Sequence, residues 1–210
     1  MKLCYVTDRK ALPGPPEAQI RLLLERIDSA ARAGVDWIQI REKELEARQL
    51  LMLVQEAKHR AGATCRIFVN DRLDVALAAG ADGVHLGERS LPVADVKRFL
   101  KERGVAGEFL VGVSTHSVRA VQEAEANGAD HVYFGPVFAT PSKLAYGPPQ
   151  GVEQLAAACR AASIPVVAIG GITTENAREC VVARAAGIAA IRLFQEVSAI
   201  ESIVRALRAK

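Results

Sequence analysis

No stretch of this sequence approaches the ~18 consecutive apolar residues that a membrane-spanning helix needs. Charges recur between Met1 and Lys10 with no apolar core between them, so no secretory leader is expected there. There is no Cys-x-x-Cys pair. Cys4, Cys65, Cys159 and Cys180 are scattered, and no histidine stands at ligand spacing from any of them, which argues against a zinc site. Such cysteines are expected as free thiols in a reducing, cytoplasmic setting. A basic run is also missing. The 27 Lys and Arg are interspersed with 24 Asp and Glu for a net charge of +3, so a dedicated nucleic-acid binder is not expected. Small anionic ligands need only a few well-placed cations and stay open. With 16 Gly and 9 Pro in 210 residues, neither a collagen-like nor a low-complexity segment is present.

What is present is a repeat. Eight short apolar runs rich in Val, Ile or aromatics recur: Leu3 to Thr7, Trp37 to Arg41, Arg66 to Asn70, Gly83 to Leu86, Leu110 to Ser114, His131 to Gly135, Val166 to Gly170, and Ile188 to Leu193. Each is too short for a helix, and near-continuous apolar character is the mark of strands buried on both faces. Between them lie helical patterns, such as Ile20, Leu23, Leu24 and Ile27, or Leu50, Leu53, Val54 and Ala57. A last helix is expected from about Val197 to Leu207. The junctions Ala33-Gly34-Val35-Asp36, Ala79-Gly80-Ala81-Asp82 and Asn127-Gly128-Ala129-Asp130 repeat one helix-stopping turn. Arg184 stands where such a glycine is usual. Eight strand–helix units of about 26 residues each predict a (β/α)8 TIM barrel over residues 1–210 as one domain. An open doubly wound sheet would need edge strands, and no run is polar or broken by proline.

A barrel directs attention to the C-terminal ends of the strands. Gln39 and Arg41 share one face of the second run and Lys43 continues that line into the loop, an amide and two cations suited to a polar ring beside a phosphate. Salt bridges to Glu42 and Glu44 are the plainer use of those cations. Asn70 and Asp71 end the third run. Asp71 can cap the next helix or take Mg²⁺ with phosphate oxygens. Ser90 before Leu91-Pro92 reads as a helix cap, as does Ser117. Ser114 and His116 follow the fifth run, His116 as a general acid/base or as a polar lining group. The loop from Pro136 to Gln150, with Thr140, Ser142 and Lys143, has the length of an active-site lid. Gly170-Gly171 after the seventh run, with Ile191 and Arg192 ending the eighth, occupy the recurring phosphate position of these barrels.

Taken in order, six segments resemble the thiamine phosphate synthase and thiazole tautomerase (TenI) superfamily. They are Gln39 to Lys43, Asn70 to Arg72, Asp82 to Gly87, Gly112 to His116, Gly135 to Phe138 followed by Thr140 to Lys143, and Ala168 to Ile172. The resemblance implies an enzyme of thiamine biosynthesis that joins an aminopyrimidine methyl pyrophosphate to a thiazole phosphate and releases pyrophosphate. It further implies that Gln39 binds the aminopyrimidine and that Arg41, Lys43, Asn70 and Lys143 hold pyrophosphate. Asp71 would bind Mg²⁺ and Ser114 would sit by the reacting methylene. Thr140, Ser142 and the backbone at Gly171 and Ile191 would hold the thiazole phosphate. Two positions depart from the synthase pattern: Ser90 stands where a second metal carboxylate belongs, nineteen residues after Asp71, and Arg192 replaces a serine in the strand-8 phosphate loop. The tautomerase branch, whose acid/base histidine falls at His116, is the alternative, and a non-catalytic thiazole- or thiamine-phosphate sensor is a third. Small phosphorylated substrates are the expected partners, with no nucleic acid and no membrane.

Overall fold

The computed structural model describes residues 1–105, 107–140, 148–196 and 199–209. Strands and helices alternate in the order β1 (Lys2–Val6), α1 (Pro16–Ala33), β2 (Trp37–Ile40), α2 (Ala47–Ala61), β3 (Arg66–Asn70), α3 (Leu73–Ala78), β4 (Gly83–Leu86) and α4 (Val93–Glu102). Then follow β5 (Leu110–Thr115), α5 (Val118–Ala126), β6 (His131–Phe134), α6 (Gly151–Ala161), β7 (Val166–Ile169), α7 (Ala177–Val182), β8 (Gly187–Ala190), α8 (Arg192–Gln195) and α9 (Ile200–Arg208). A short 3-10 turn, Arg9–Ala11, precedes α1. Successive strands pair in parallel, and β1 also pairs with β8, Lys2 opposite Gly187, so the sheet closes on itself. This is the (β/α)8 barrel that the repeat predicts.

All eight apolar runs are strands, but the eighth is shorter than expected. Pairing with β1 stops at Tyr5 opposite Ala190. Ile191 then takes helical angles, φ −92° and ψ −72°, and Arg192 opens α8 instead of ending a strand. Apolar composition continues past Ala190, but the turn of the backbone at Ile191 into α8 ends the pairing although β1 runs on to Val6. The last helix likewise starts at Ile200, with 197 and 198 outside the described residues.

Period-two alternation separates two apolar layers. Cys4, Val6, Trp37, Phe68, Tyr133, Val167 and Ala189 fill the barrel interior. The alternate residues, such as Leu3, Tyr5, Ile38, Ile40, Ile67 and Val69, pack outward against Leu23 and Ile27 of α1 and Leu53 and Val54 of α2. Burying each such Leu or Ile contributes ~1.5–3 kcal/mol, so this outer layer is a main source of stability.

The repeated junctions do more than stop helices. Gly34, Gly80 and Gly128 have φ of 93°, 64° and 87°, the left-handed turn expected of them. Two residues later the aspartate reaches back to the previous strand. Asp36 accepts from the Leu3 amide at 2.7 Å, Asp82 from Ile67 at 2.7 Å, and Asp130 from Val111 at 2.6 Å. A cation closes each clip: Arg208 on Asp36, Lys58 on Asp82, Lys97 on Asp130. Arg184 occupies the left-handed region with φ 65°. A side chain there costs roughly 1–2 kcal/mol relative to glycine.

Candidate active site

At the C-terminal mouth a line of polar side chains crosses three strands. Gln39, almost wholly buried near the end of β2, donates from Nε2 to Asn70 Oδ1 at 2.9 Å. Asn70, ending β3, donates from Nδ2 to Asp71 Oδ2 at 2.8 Å. Asp71 Oδ1 accepts from the Gly87 amide at 3.0 Å and from the Ser90 hydroxyl. Asp71 has φ 62°, a strained backbone for a residue with a side chain, as is common at functional sites. The expected caps are absent. α3 begins after Arg72 and α4 after Pro92, neither with a side-chain cap bond. Asp71 and Ser90 are turned toward each other, and Ser90 Oγ takes the Gly87 amide at 2.7 Å. Ser117 does cap α5, accepting from Ala120 at 3.1 Å.

The two cations after β2 are held by their backbone. The Arg41 amide donates to Thr7 Oγ1 at 2.9 Å, and Thr7 donates on to Glu42 Oε1 at 2.6 Å. Glu42, between Arg41 and Lys43, is only 3% exposed and also accepts from the Arg9 amide at 3.1 Å. Burial pushes its carboxyl up to about 7, against the lowering pull of Thr7, the Arg9 amide and the Arg9 guanidinium. The acidic partners anticipated for Arg41 and Lys43 are taken elsewhere. Glu44 receives Arg9 at 2.7 Å, and Glu42 faces Arg9 at 3.8 Å. Among the described residues neither Arg41 nor Lys43 has a carboxylate partner. Sequence reasoning missed Glu42 as an anchor because a glutamate between two cations looks like a solvated ion pair.

On the far side of the mouth, Ser114 Oγ in β5 lies 3.0 Å from His85 Nε2 in β4. His116 Nδ1 donates to the Gly135 carbonyl, and its Nε2 stands 3.6 Å from Glu88 Oε1. Gly170 and Gly171 both have positive φ, 98° and 66°. A Cβ at Gly171 would fall 2.5 Å from the Ala139 carbonyl oxygen, so the loop after β7 packs directly on the loop after β6. Asn176 Nδ2 donates to the Gly171 carbonyl at 2.9 Å and steadies that turn. Ile191 and the exposed Arg192 follow β8 at the same end. In the loop after β6 Thr140 is described, whereas Ser142 and Lys143 lie outside the described residues.

Among the described residues no group of three His, Cys, Asp or Glu side chains could hold a metal ion. What stands at Asp71 is one carboxylate with a hydroxyl beside it. A carboxylate offers about four lone-pair sites. Three are used by Gly87, Ser90 and Asn70, leaving one. Mg²⁺ is commonly held by one or two carboxylates with substrate phosphates and waters completing the shell, so this oxygen set fits it. No described helix is long and apolar enough to cross a membrane.

A family model described as thiamine monophosphate synthase matches residues 3–194. The thiamine-phosphate synthase of Methanoculleus marisnigri is 44% identical over 182 residues, covering 85% of this chain and 83% of that protein. That of Chlorobium luteolum is 38% identical over 210 residues, 99% of this chain and 91% of the relative. Among solved structures, thiamine phosphate pyrophosphorylase from Pyrococcus furiosus superposes with a TM-score of 0.84 at 32% identity, covering 99% of this chain and 94% of that one.

Proposed function

The chain belongs to the thiamine monophosphate synthase family, and from that premise we propose that it is a transferase coupling an aminopyrimidine methyl pyrophosphate to a thiazole phosphate. Residues 1–210 act as one barrel domain. The observation that carries the reading is the unbroken hydrogen-bonded line Gln39–Asn70–Asp71–Ser90 across the mouth. It joins an amide suited to a heterocycle to an oxygen set suited to a metal-bound diphosphate.

Pyrophosphate leaves from a carbon attached to an aromatic ring, so positive charge develops on that carbon and negative charge on the departing oxygens. Gln39 orients the aminopyrimidine. Arg41, Lys43, Asn70 and Lys143 take the growing negative charge, and Arg41 and Lys43 are suited to it because no carboxylate among the described residues competes for them. Asp71 with Ser90 would hold Mg²⁺, which when bound neutralises charge on the diphosphate. Ser114 turns its hydroxyl oxygen toward the carbon that becomes positive. Thr140, Ser142, Arg192 and the backbone at Gly171 and Ile191 hold the thiazole phosphate. The loop carrying Thr140 to Lys143 keeps water from the cation.

The test is to incubate the protein with both substrates across a Mg²⁺ series. Pyrophosphate and thiamine phosphate should appear in equal amounts; no pyrophosphate at any Mg²⁺ concentration overturns the reading. A second reading, thiazole tautomerisation, is favoured by one geometry. His116 donates from Nδ1 to Gly135, which leaves Nε2 to exchange a proton with Glu88 nearby. Tautomer conversion lost in His116→Ala, without pyrophosphate release by the parent protein, would select it.

A further inference from the structure

Two buried imidazoles meet beneath the mouth. In the sheet, Gly112 of β5 lies between His85 of β4 and His131 of β6 as the partner of both. Without a side chain at 112, the two rings share the space over its Cα. A Cβ there would fall 2.1 Å from His131 Nε2 and 2.7 Å from His85 Nδ1. Those two nitrogens are therefore within 4.8 Å of each other, the sum of the two distances. Neither has a hydrogen-bond partner among the described residues. The other nitrogen of His85, Nε2, faces Ser114 Oγ at 3.0 Å.

Packing does not explain a histidine at 131. Its ring lies among Trp37, Phe68 and Tyr133, with centroid distances of 4.7, 5.2 and 5.6 Å. In such a pocket an imidazole without a polar partner bears its full desolvation cost, and phenylalanine would fill the same aromatic site without it. Burial holds the imidazolium form of His131 down to about 4 and that of His85 well below its ordinary value, so both rings are neutral. A neutral imidazole carries one N–H, and which nitrogen bears it is set by what the other meets.

We propose that His131 is a positioning residue that fixes the tautomer of His85 and thereby the direction of the Ser114 hydroxyl. His131 Nε2 accepts from His85 Nδ1–H through one bridging water. His85 Nε2 is then left as an acceptor. Ser114 donates its proton to that nitrogen and presents lone pairs, not its proton, to the carbon from which pyrophosphate departs. With the opposite tautomer, His85 would donate to Ser114 and the hydroxyl proton would point at a cationic centre. This inference rests on the proposed coupling reaction for Ser114, while the link between the two rings stands independently of it.

The experiment combines ¹⁵N imidazole spectra of labelled protein with steady-state kinetics of His131→Phe and His131→Gln. In the parent protein His85 is expected as the Nδ1–H form; an Nε2–H form there overturns the proposal without any variant. His131→Phe should move His85 toward the Nε2–H form and lower kcat about ten-fold while KM for both substrates stays within about two-fold. His131→Gln, which can still accept, should recover most of the lost kcat. An unchanged His85 spectrum in His131→Phe, or a kcat equal to the parent's, refutes the proposal. If the parent makes no thiamine phosphate yet His131→Phe still shifts His85, the coupling reaction is wrong and the link between the rings is upheld.

Discussion

Ser90→Asp offers a direct test of whether Asp71 and Ser90 form the cation site. In the structure the Ser90 hydroxyl donates to Asp71 Oδ1 and accepts from the Gly87 amide at 2.7 Å. A carboxylate at 90 would face the Asp71 carboxylate across about one hydrogen-bond length. Two like charges ~4 Å apart repel by ~4 kcal/mol at an effective dielectric constant near 20. Both positions are half-buried, so solvent reduces this to roughly 1–2 kcal/mol. Loss of the serine bonds adds ~1 kcal/mol. For a chain of this size each kcal/mol moves Tm by about 2–4 °C, so the metal-free variant should melt about 4–12 °C below the parent. Mg²⁺ binds the variant's folded state through both carboxylates. At 100 times its Kd it contributes ~2.7 kcal/mol and should restore most of the loss. The assay is a melt with EDTA and with a Mg²⁺ series, alongside pyrophosphate release at limiting Mg²⁺, where the variant should outpace the parent. If Ser90→Asp melts with the parent, or Mg²⁺ leaves its Tm unmoved, Asp71 and position 90 are not a metal pair.

Other substitutions probe the surrounding frame. Glu42 holds its proton up to about 7 when folded and to about 4.5 when unfolded. Its stabilising contribution is therefore complete below pH 4.5 and lost as pH rises through 7, about 3 kcal/mol in all. Glu42→Gln should flatten that part of the stability-against-pH curve; an unaltered slope in urea titrations at pH 5 and 8 would assign the effect elsewhere. Arg184→Gly relieves the φ of 65° and should raise stability by about 1 kcal/mol, or Tm by about 2–4 °C. A lower Tm would mean the arginine makes a contact that outweighs the strain. Arg192→Ala should raise KM for the thiazole phosphate about ten-fold at constant kcat, the loss of one charge-assisted bond. An unchanged KM removes Arg192 from the phosphate site.

The barrel was legible because strands buried on both faces leave apolar runs, and eight of them with none reading as an edge strand leave no place for the ends of an open sheet. The mouth residues were legible as positions, since period two carries Gln39 and Arg41 to one end of β2. Their partners were not. The caps assigned to Asp71 and Ser90 fit local rules, but two loops brought together by parallel strands gave each a better partner in the other. His85 and His131 sit in apolar runs, where a histidine is indistinguishable from a core filler until the register sets Gly112 between them. The Asp of the Gly-x-Asp junctions did carry a signal, a charge recurring at a fixed offset before a buried strand. Its target, the amide of the second residue of the preceding strand, required the pairing to be known.

Those three aspartate clips join neighbours in sequence, bridging separations of 33, 15 and 19 residues. Each can form as soon as its own strand–helix–strand unit is made, which favours rapid local assembly. The seam between β8 and β1 is different: it joins the two ends of the chain, Lys2 to Gly187, with no such aspartate clip among the described residues. There the last helix serves. Arg208 donates to the carbonyls of Met1 and Gly34 and pairs with Asp36, across 207, 174 and 172 residues. At the other end of the seam Gln195 accepts from the Tyr5 hydroxyl at 2.8 Å and the Asp8 amide at 3.1 Å and donates to the Asp8 carbonyl, so the molecule is a hoop riveted early along its length and buckled at both rims, by Gln195 at the mouth and by Arg208 opposite it. A chain shortened by that one turn would keep its catalytic mouth yet lose the fastening opposite it.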